Sequence, residues 1–237
     1  IPSNGEPRTK MSMGEHCEAM VKEWGIPREA QDLLAFESHK KAAAAYESGF
    51  YDDLIVPFGK LSRDNNLRAD ITLEKLASLG PAFDKKSGRG TLSAGNSTPL
   101  TDGASAVLLA SEDWCKAKGL KPQAYLTHCQ TAAVDFAGNG KEGLLIAPAY
   151  AVPQMLARAG IKLQDFDFYE IHEAFAGQVL CTLKAWESDE YCRSKLGLSG
   201  ALGSIDRAKL NIKGGSLASG HPFAATGGRI LATLAKI

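Results

Sequence analysis

Apolar and polar positions follow a helical pattern in the first third of the chain and change texture near residue 88. The pattern predicts a helix over 14–24, stopped by Gly25, and a second over 28–48, stopped by Gly49. Pro27 suits the first turn of the second helix, and Gly49 suits a left-handed cap. Leu33, Leu34, Phe36 and alanines 42–45 supply that helix's apolar surface. Residues 53–58 read as a short strand, 63–68 as a charged loop and 72–79 as a short helix. The opening 1–10 is polar, carries Pro2, Gly5 and Pro7, and reads as an extended lead-in.

After residue 88, short apolar runs alternate with helical patterns. Strands are predicted over 105–110, 124–129, 166–171 and 210–213. Helices are predicted after Ser111, over 150–159, over 174–186 and over 222–237. Ser111 with Glu112 and Asp113 forms a helix start, and Gly119 and Gly160 form stops. Strands alternating with helices imply an α/β sandwich with crossover connections, which places chemistry where strands end and helices begin.

Composition narrows the class. The 237 residues suffice for one large domain or two small ones. Hydrophobic residues are 44% and charged residues 23%, which excludes a disordered or collagen-like chain. Lys+Arg and Asp+Glu are 27 each, so no global field favours nucleic acid or an anionic membrane. The longest apolar run, 144–153, contains two prolines and is too short to span a bilayer. No signal-peptide pattern is visible. Five cysteines without paired spacing point to reduced thiols and a cytoplasmic location. Residue 1 is Ile, which fits a processed, cut or partly described chain.

Two clusters could carry chemistry. In Glu170-Ile171-His172-Glu173-Ala174-Phe175, His172 falls at a predicted strand-to-helix junction. An imidazole there can donate to a developing oxyanion, directly or through water. The same placement suits a histidine that caps the helix or is satisfied in the core. The second cluster runs from Asn211 through Gly214-Gly215-Ser216 to Gly220-His221-Pro222 and Gly227. Its glycines allow tight turns and close approach by a ligand. Pro222 biases His221 away from helical backbone and fits the first position of a helix. His221 is thus a candidate general base or oxyanion donor, and a plain packing turn is the alternative. This glycine-rich stretch lacks the Gly-Lys-Ser/Thr of a P-loop and the G-x-G-x-x-G spacing of a dinucleotide fold, and no C-x-x-C, H-E-x-x-H or G-x-S-x-G pattern is present. Cys192 reads as a surface or half-buried cysteine, and Lys10, Lys22, Lys40, Lys41, Lys85 and Lys86 as solvated faces.

At these clusters the chain resembles the thiolase family, in particular its acetyl-CoA acyltransferase (3-ketoacyl-CoA thiolase) branch of fatty-acid β-oxidation. His172-Glu173-Ala174-Phe175 is similar to that branch's variant of the family's Asn-Glu-Ala-Phe. Gly220-His221-Pro222 is similar to the family's catalytic histidine motif. Residues 91–107 resemble the segment leaving the CoA-binding loop domain, and Met13-Gly14 with 25–32 resemble the loop domain itself. The resemblance implies a layered αβαβα fold, incomplete here. It divides the chain into a CoA-binding loop domain (1–94), the last elements of the N-terminal half (95–122) and a truncated C-terminal half (123–237).

The resemblance also implies ping-pong thiolysis of 3-ketoacyl-CoA by CoA, through one cysteine thiolate that takes the acyl group and a second that moves the α-proton. His221 would activate the nucleophilic thiol, and His172 would polarise a thioester oxygen by holding a water. Thr98 aligns with a pantetheine-contacting hydroxyl, and Leu144, Ala174 and Phe175 with tunnel walls. No metal and no resident cofactor is implied, because coenzyme A is a substrate. Expected partners are further copies of the chain and a β-oxidation multienzyme subunit. The family's Cys-x-Ser nucleophile stands upstream of the loop domain; the match here, Cys192-Arg193-Ser194, follows the His172 cluster and is not that element, and no Cys-x-Gly occurs, so the isolated chain is expected to be inactive. A non-catalytic CoA-binding or assembly module and a biosynthetic acetoacetyl-CoA thiolase are the alternatives.

Overall fold

The computed structural model describes residues 5–137 and 142–237. The part of the predicted lead-in over 1–4 lies outside the described residues. Its remainder is a turn rather than extended chain. The Glu6 carboxylate accepts from the amides of Arg8 and Thr9, and Glu6 C=O accepts from Lys10 N–H.

Helix α1 (Met13–Glu23) opens on a capping box in which Ser12 and Glu15 satisfy each other's amides. Helix α2 (Arg28–Glu47) ends before Gly49, which takes φ 71°. The short α3 (Leu73–Ala77) is capped by Thr72. Helix α4 (Glu112–Lys118) has Ser111 as N-cap and a left-handed Gly119 as C-cap, and it buries none of its residues. Helix α5 (Ala147–Ala159) starts three residues before its predicted start because Pro148 seeds the first turn. Helices α6 (Ala176–Glu187) and α7 (Asp189–Ser194) follow, and the sequence pattern did not predict α7. The four-residue α8 (Ser216–Ser219) and then α9 (Thr226–Lys236) complete the helices. Among the described residues no helix is long and apolar enough to cross a membrane.

The core gathers on α6, which packs against α1, α2, α5 and α7. Cys17, Met20 and Val21 meet Val179, Leu180, Cys181 and Leu183 there, and Trp186 closes the α5 side beside Ala149 and Leu156. Helix α2 carries the site: it packs on α3, α6 and α8 and buries Leu34, Ala35, Ala42 and Ala45. Polar groups brace these contacts. Glu18, buried under α1, accepts from the amides of Thr91 and Leu92, and Arg28 holds Asp32 at 2.7 Å.

The predicted strands form no ladder among the described residues. Residues 166–171 and 210–213 share a single parallel bridge between Tyr169 and Leu210, and the Asn211 side chain accepts from Ile171 N–H and donates to Ile171 C=O. There Tyr169 N–H donates to Lys209 C=O at 3.0 Å and Asn211 N–H to Tyr169 C=O at 2.8 Å. The 53–58 segment instead leaves a turn over 51–54 and reaches a tight Phe58–Leu61 bridge, with Val56 86% and Phe58 84% exposed. The 105–110 and 124–129 segments carry no regular secondary structure and no bridge, and Leu108, Leu109, Tyr125 and Leu126 are exposed. Alternation alone does not make a strand; a neighbouring edge must accept its hydrogen bonds.

Candidate active site

Both histidines are delivered by irregular chain braced on short helices. His172 lies in the extended stretch before α6. It does not sit over free amides at that helix's start, because Ala176 N–H is already donated to Asn96 C=O at 3.0 Å. His172 is instead held from α8, with Nδ1 2.8 Å from Ser216 Oγ. His221 follows Gly220 (φ 94°), where an added Cβ would collide with Thr101 and Asn66. The helix expected to begin at Pro222 begins four residues later. Ala224 takes a positive φ of 65°, and the intervening turn closes on Pro222 C=O.

The two rings converge. Their centroids are 4.2 Å apart with planes inclined by 50°, and the Phe223 ring centroid lies 4.8 Å from that of His221. His221 Nδ1 is 2.6 Å from Thr226 Oγ1. That hydroxyl gives its single proton to Pro222 C=O at 3.2 Å, so it accepts from His221 Nδ1–H. His221 Nε2 therefore keeps its lone pair, as a general base requires. Nε2 of His172 is buried and has no hydrogen-bond partner among the described residues.

Both rings are held neutral. Burial, with help from His221 and Arg229, lowers His172 to about 4. Burial and then Arg229 lower His221. Glu173, next to His172, is fully enclosed and pushed upward by burial. It accepts from Ser38 Oγ (2.7 Å), Asn211 Nδ2 (2.6 Å) and Leu217 N–H (3.2 Å). Ser38 Oγ in turn accepts from Gly215 N–H at 2.9 Å. This hub fixes the 170–175 chain, α2 and α8 to one another.

Two glycines of the second cluster make room for this hub. A Cβ at Gly215 would lie 2.3 Å from a Glu173 carboxylate oxygen, and one at Gly214 would lie 2.6 Å from Ser38 C=O.

Thr98, Ala174 and Phe175 belong to the same assembly. Thr98 Oγ1 donates to Ser216 C=O at 2.8 Å and Thr98 N–H to Ala174 C=O at 3.0 Å, while Phe175 bridges to Ser97 and meets Phe83 edge-on. Leu144 is not brought into this hydrogen-bonded group; it is half-buried in the turn ahead of α5. Ser38, Ser216, Thr226 and Arg229 were not singled out as site residues by sequence. Their only signal was residence near glycine turns or on a helix, because hydroxyl partners of a distant imidazole leave no spacing pattern.

No cysteine hydrogen-bonds to either imidazole among the described residues. Cys17 and Cys181 are core residues, and burial pushes Cys17 well up and Cys181 to about 12. Cys192 is fully buried, not on the surface, and its thiol donates to the carbonyls of Ala185 and Trp186. Cys115 and Cys129 lie on the outer segments. Lys22 and Lys40 are exposed as expected, donating to Asp84 and to Ala69 C=O, whereas Lys41 is half-buried and donates to Leu210 C=O.

Comparison with known proteins agrees with this arrangement. The model of the thiolase N-terminal domain matches residues 5–113, and that of the thiolase C-terminal domain matches 120–237. A 3-ketoacyl-CoA thiolase of Pectobacterium carotovorum is 49% identical over 236 residues, covering 97% of this chain and 53% of that protein. Among solved structures, the Bacillus anthracis acetyl-CoA acetyltransferase superposes with a TM-score of 0.81 at 37% identity, covering 98% of this chain and 55% of that one. Human mitochondrial 3-ketoacyl-CoA thiolase gives 0.78 at 29% identity, covering 99% and 55%. The chain spans about half the length of these relatives. These likenesses carry the α/β, thiolase-like fold class over the whole described chain. With both domain models matched and the paired imidazoles in place, the chain belongs to the thiolase family.

Proposed function

We propose that this chain is the histidine-bearing part of a degradative 3-ketoacyl-CoA thiolase, an acyltransferase that cleaves 3-ketoacyl-CoA with CoA into acetyl-CoA and a shortened acyl-CoA. The observation that carries this reading is the pair of neutral imidazoles 4.2 Å apart, one with a free lone pair on Nε2 and one with a buried, unpartnered Nε2. His221 would take the proton of an incoming thiol, and His172 would stabilise the carbonyl oxygen as it gains charge. The thiolate attacks the 3-keto carbon, the C2–C3 bond breaks, and the released carbanion is protonated to acetyl-CoA. CoA then takes the acyl group from the enzyme's sulfur. Thr98, Leu144, Ala174 and Phe175 are the proposed pantetheine contacts, and the divisions at residues 94 and 122 the proposed domain boundaries. Self-association, a β-oxidation partner subunit and a cytoplasmic site belong to the same proposal.

The test is thiolysis of 3-ketoacyl-CoA by the complete gene product and by the 237-residue chain. The complete product should turn over, and His221→Ala should lower its kcat/KM by about 10²–10⁴. The chain alone should show no turnover, because no cysteine pairs with His221. Turnover by the chain alone, or an inert complete product, would refute the reading.

A further inference from the structure

We infer that Ser216, fixed by Arg229, is the positioning residue that locks His172 as the Nε2–H tautomer and so makes it an oxyanion donor. The inference rests on the thiolase reading for its purpose, but not for its geometry. Ser216 begins α8 and is fully buried. Its hydroxyl oxygen has two neighbours. Arg229 Nη2, reaching over from α9, donates to it at 3.1 Å, and His172 Nδ1 lies 2.8 Å away.

A guanidinium can only donate, so it occupies a lone pair of the hydroxyl. The serine proton must then go elsewhere, and the acceptor in reach is His172 Nδ1. If Nδ1 instead carried hydrogen, the serine proton would be buried without an acceptor, and Nε2 would present an unsatisfied lone pair. The first defect vanishes when Ser216 donates to Nδ1, whereas Nε2 is unpartnered in either tautomer and so does not decide between them. The hydrogen of His172 is then on Nε2, the buried atom that has no partner among the described residues.

The charge works in the same direction. Arg229 acts on both imidazoles and on Glu170 and Glu173, and it disfavours a second proton on His172. The ring therefore stays a neutral donor. The other ring has the opposite assignment, because Thr226 accepts from His221 Nδ1–H. Two adjacent imidazoles are thereby given opposite tasks at their Nε2 atoms by two hydroxyls, one on α8 and one on α9.

The test is long-range 1H–15N correlation spectroscopy on the 237-residue chain labelled with 15N-histidine, with His172→Gln and His221→Gln used to assign the rings. The unsubstituted chain should show the Nε2–H pattern at residue 172. Ser216→Ala should shift it to the Nδ1–H pattern or a mixture, and Ser216→Thr should restore it. Arg229→Leu, which lets the hydroxyl turn, should also give a mixture. An Nδ1–H pattern in the unsubstituted chain overturns the inference without any variant having to fold. A folded Ser216→Ala or Arg229→Leu chain with an unchanged pattern overturns it as well. The spectrum is read without turnover, so it fails or stands separately from the thiolysis assay.

Discussion

Glu170 is a half-buried carboxyl two residues before His172, and its titration runs against that of the paired rings. Burial, offset in part by Arg229, raises it from 4.5 to about 7. The folded protein thus holds that proton more tightly than the unfolded chain, and this contribution to stability falls as pH rises from 4.5 to 7. His172 and His39 are both lowered by burial from 6.5 to about 4. Between those values the unfolded chain binds more protons, so their contributions rise with pH. Each shift corresponds to up to about 3 kcal/mol. Glu170→Gln should leave stability near that of the parent at pH 4.5 and exceed it increasingly toward pH 7, by up to about 3 kcal/mol. Urea unfolding of both proteins across this range checks it, and a difference flat with pH would show that Glu170 titrates normally.

Unequal burial of the helices sets their order of opening. Helix α6 has ten buried residues of twelve, whereas α4 has none and is held by its caps and a Glu112–Lys116 pair at 3.2 Å. Hydrogen exchange should therefore find α4 amides unprotected at the level of local opening, while α6 amides exchange only with global unfolding. Equal protection of the two would contradict the packing described. Helices α1, α2 and α4 were legible because caps and glycine stops are local and leave fixed residue types at fixed offsets. The strands over 53–58, 105–110 and 124–129 were misread because pairing depends on a partner edge that composition does not reveal. The two imidazoles were legible as candidates from their Gly-Pro and Glu-Ala-Phe surroundings. Ser216, Thr226 and Arg229 were not, because their role comes from bringing residues 172, 216 and 229 together, which only the fold does.

At the scale of the whole molecule, the unpaired 105–110 and 124–129 segments expose a run of large apolar side chains. Leu108 is 76% exposed, Leu109 69%, and Tyr125 and Leu126 65% each. Unpaired backbone with apolar side chains invites association with another chain. Sedimentation of the isolated chain should show concentration-dependent association, reduced in a Leu108→Asp/Leu126→Asp double variant with little change in helix content by circular dichroism. A monomer at all concentrations would show that these segments are covered in solution.

The contact between Gly215 and the Glu173 carboxylate has a genetic corollary. Alanine there would drive a methyl into an acid that holds three neighbours in place, displacing the segment that carries His172. A blind selection for loss of the proposed acyl transfer would then recover position 215 as readily as either imidazole. Such a map would mark as indispensable a residue that has no functional group at all.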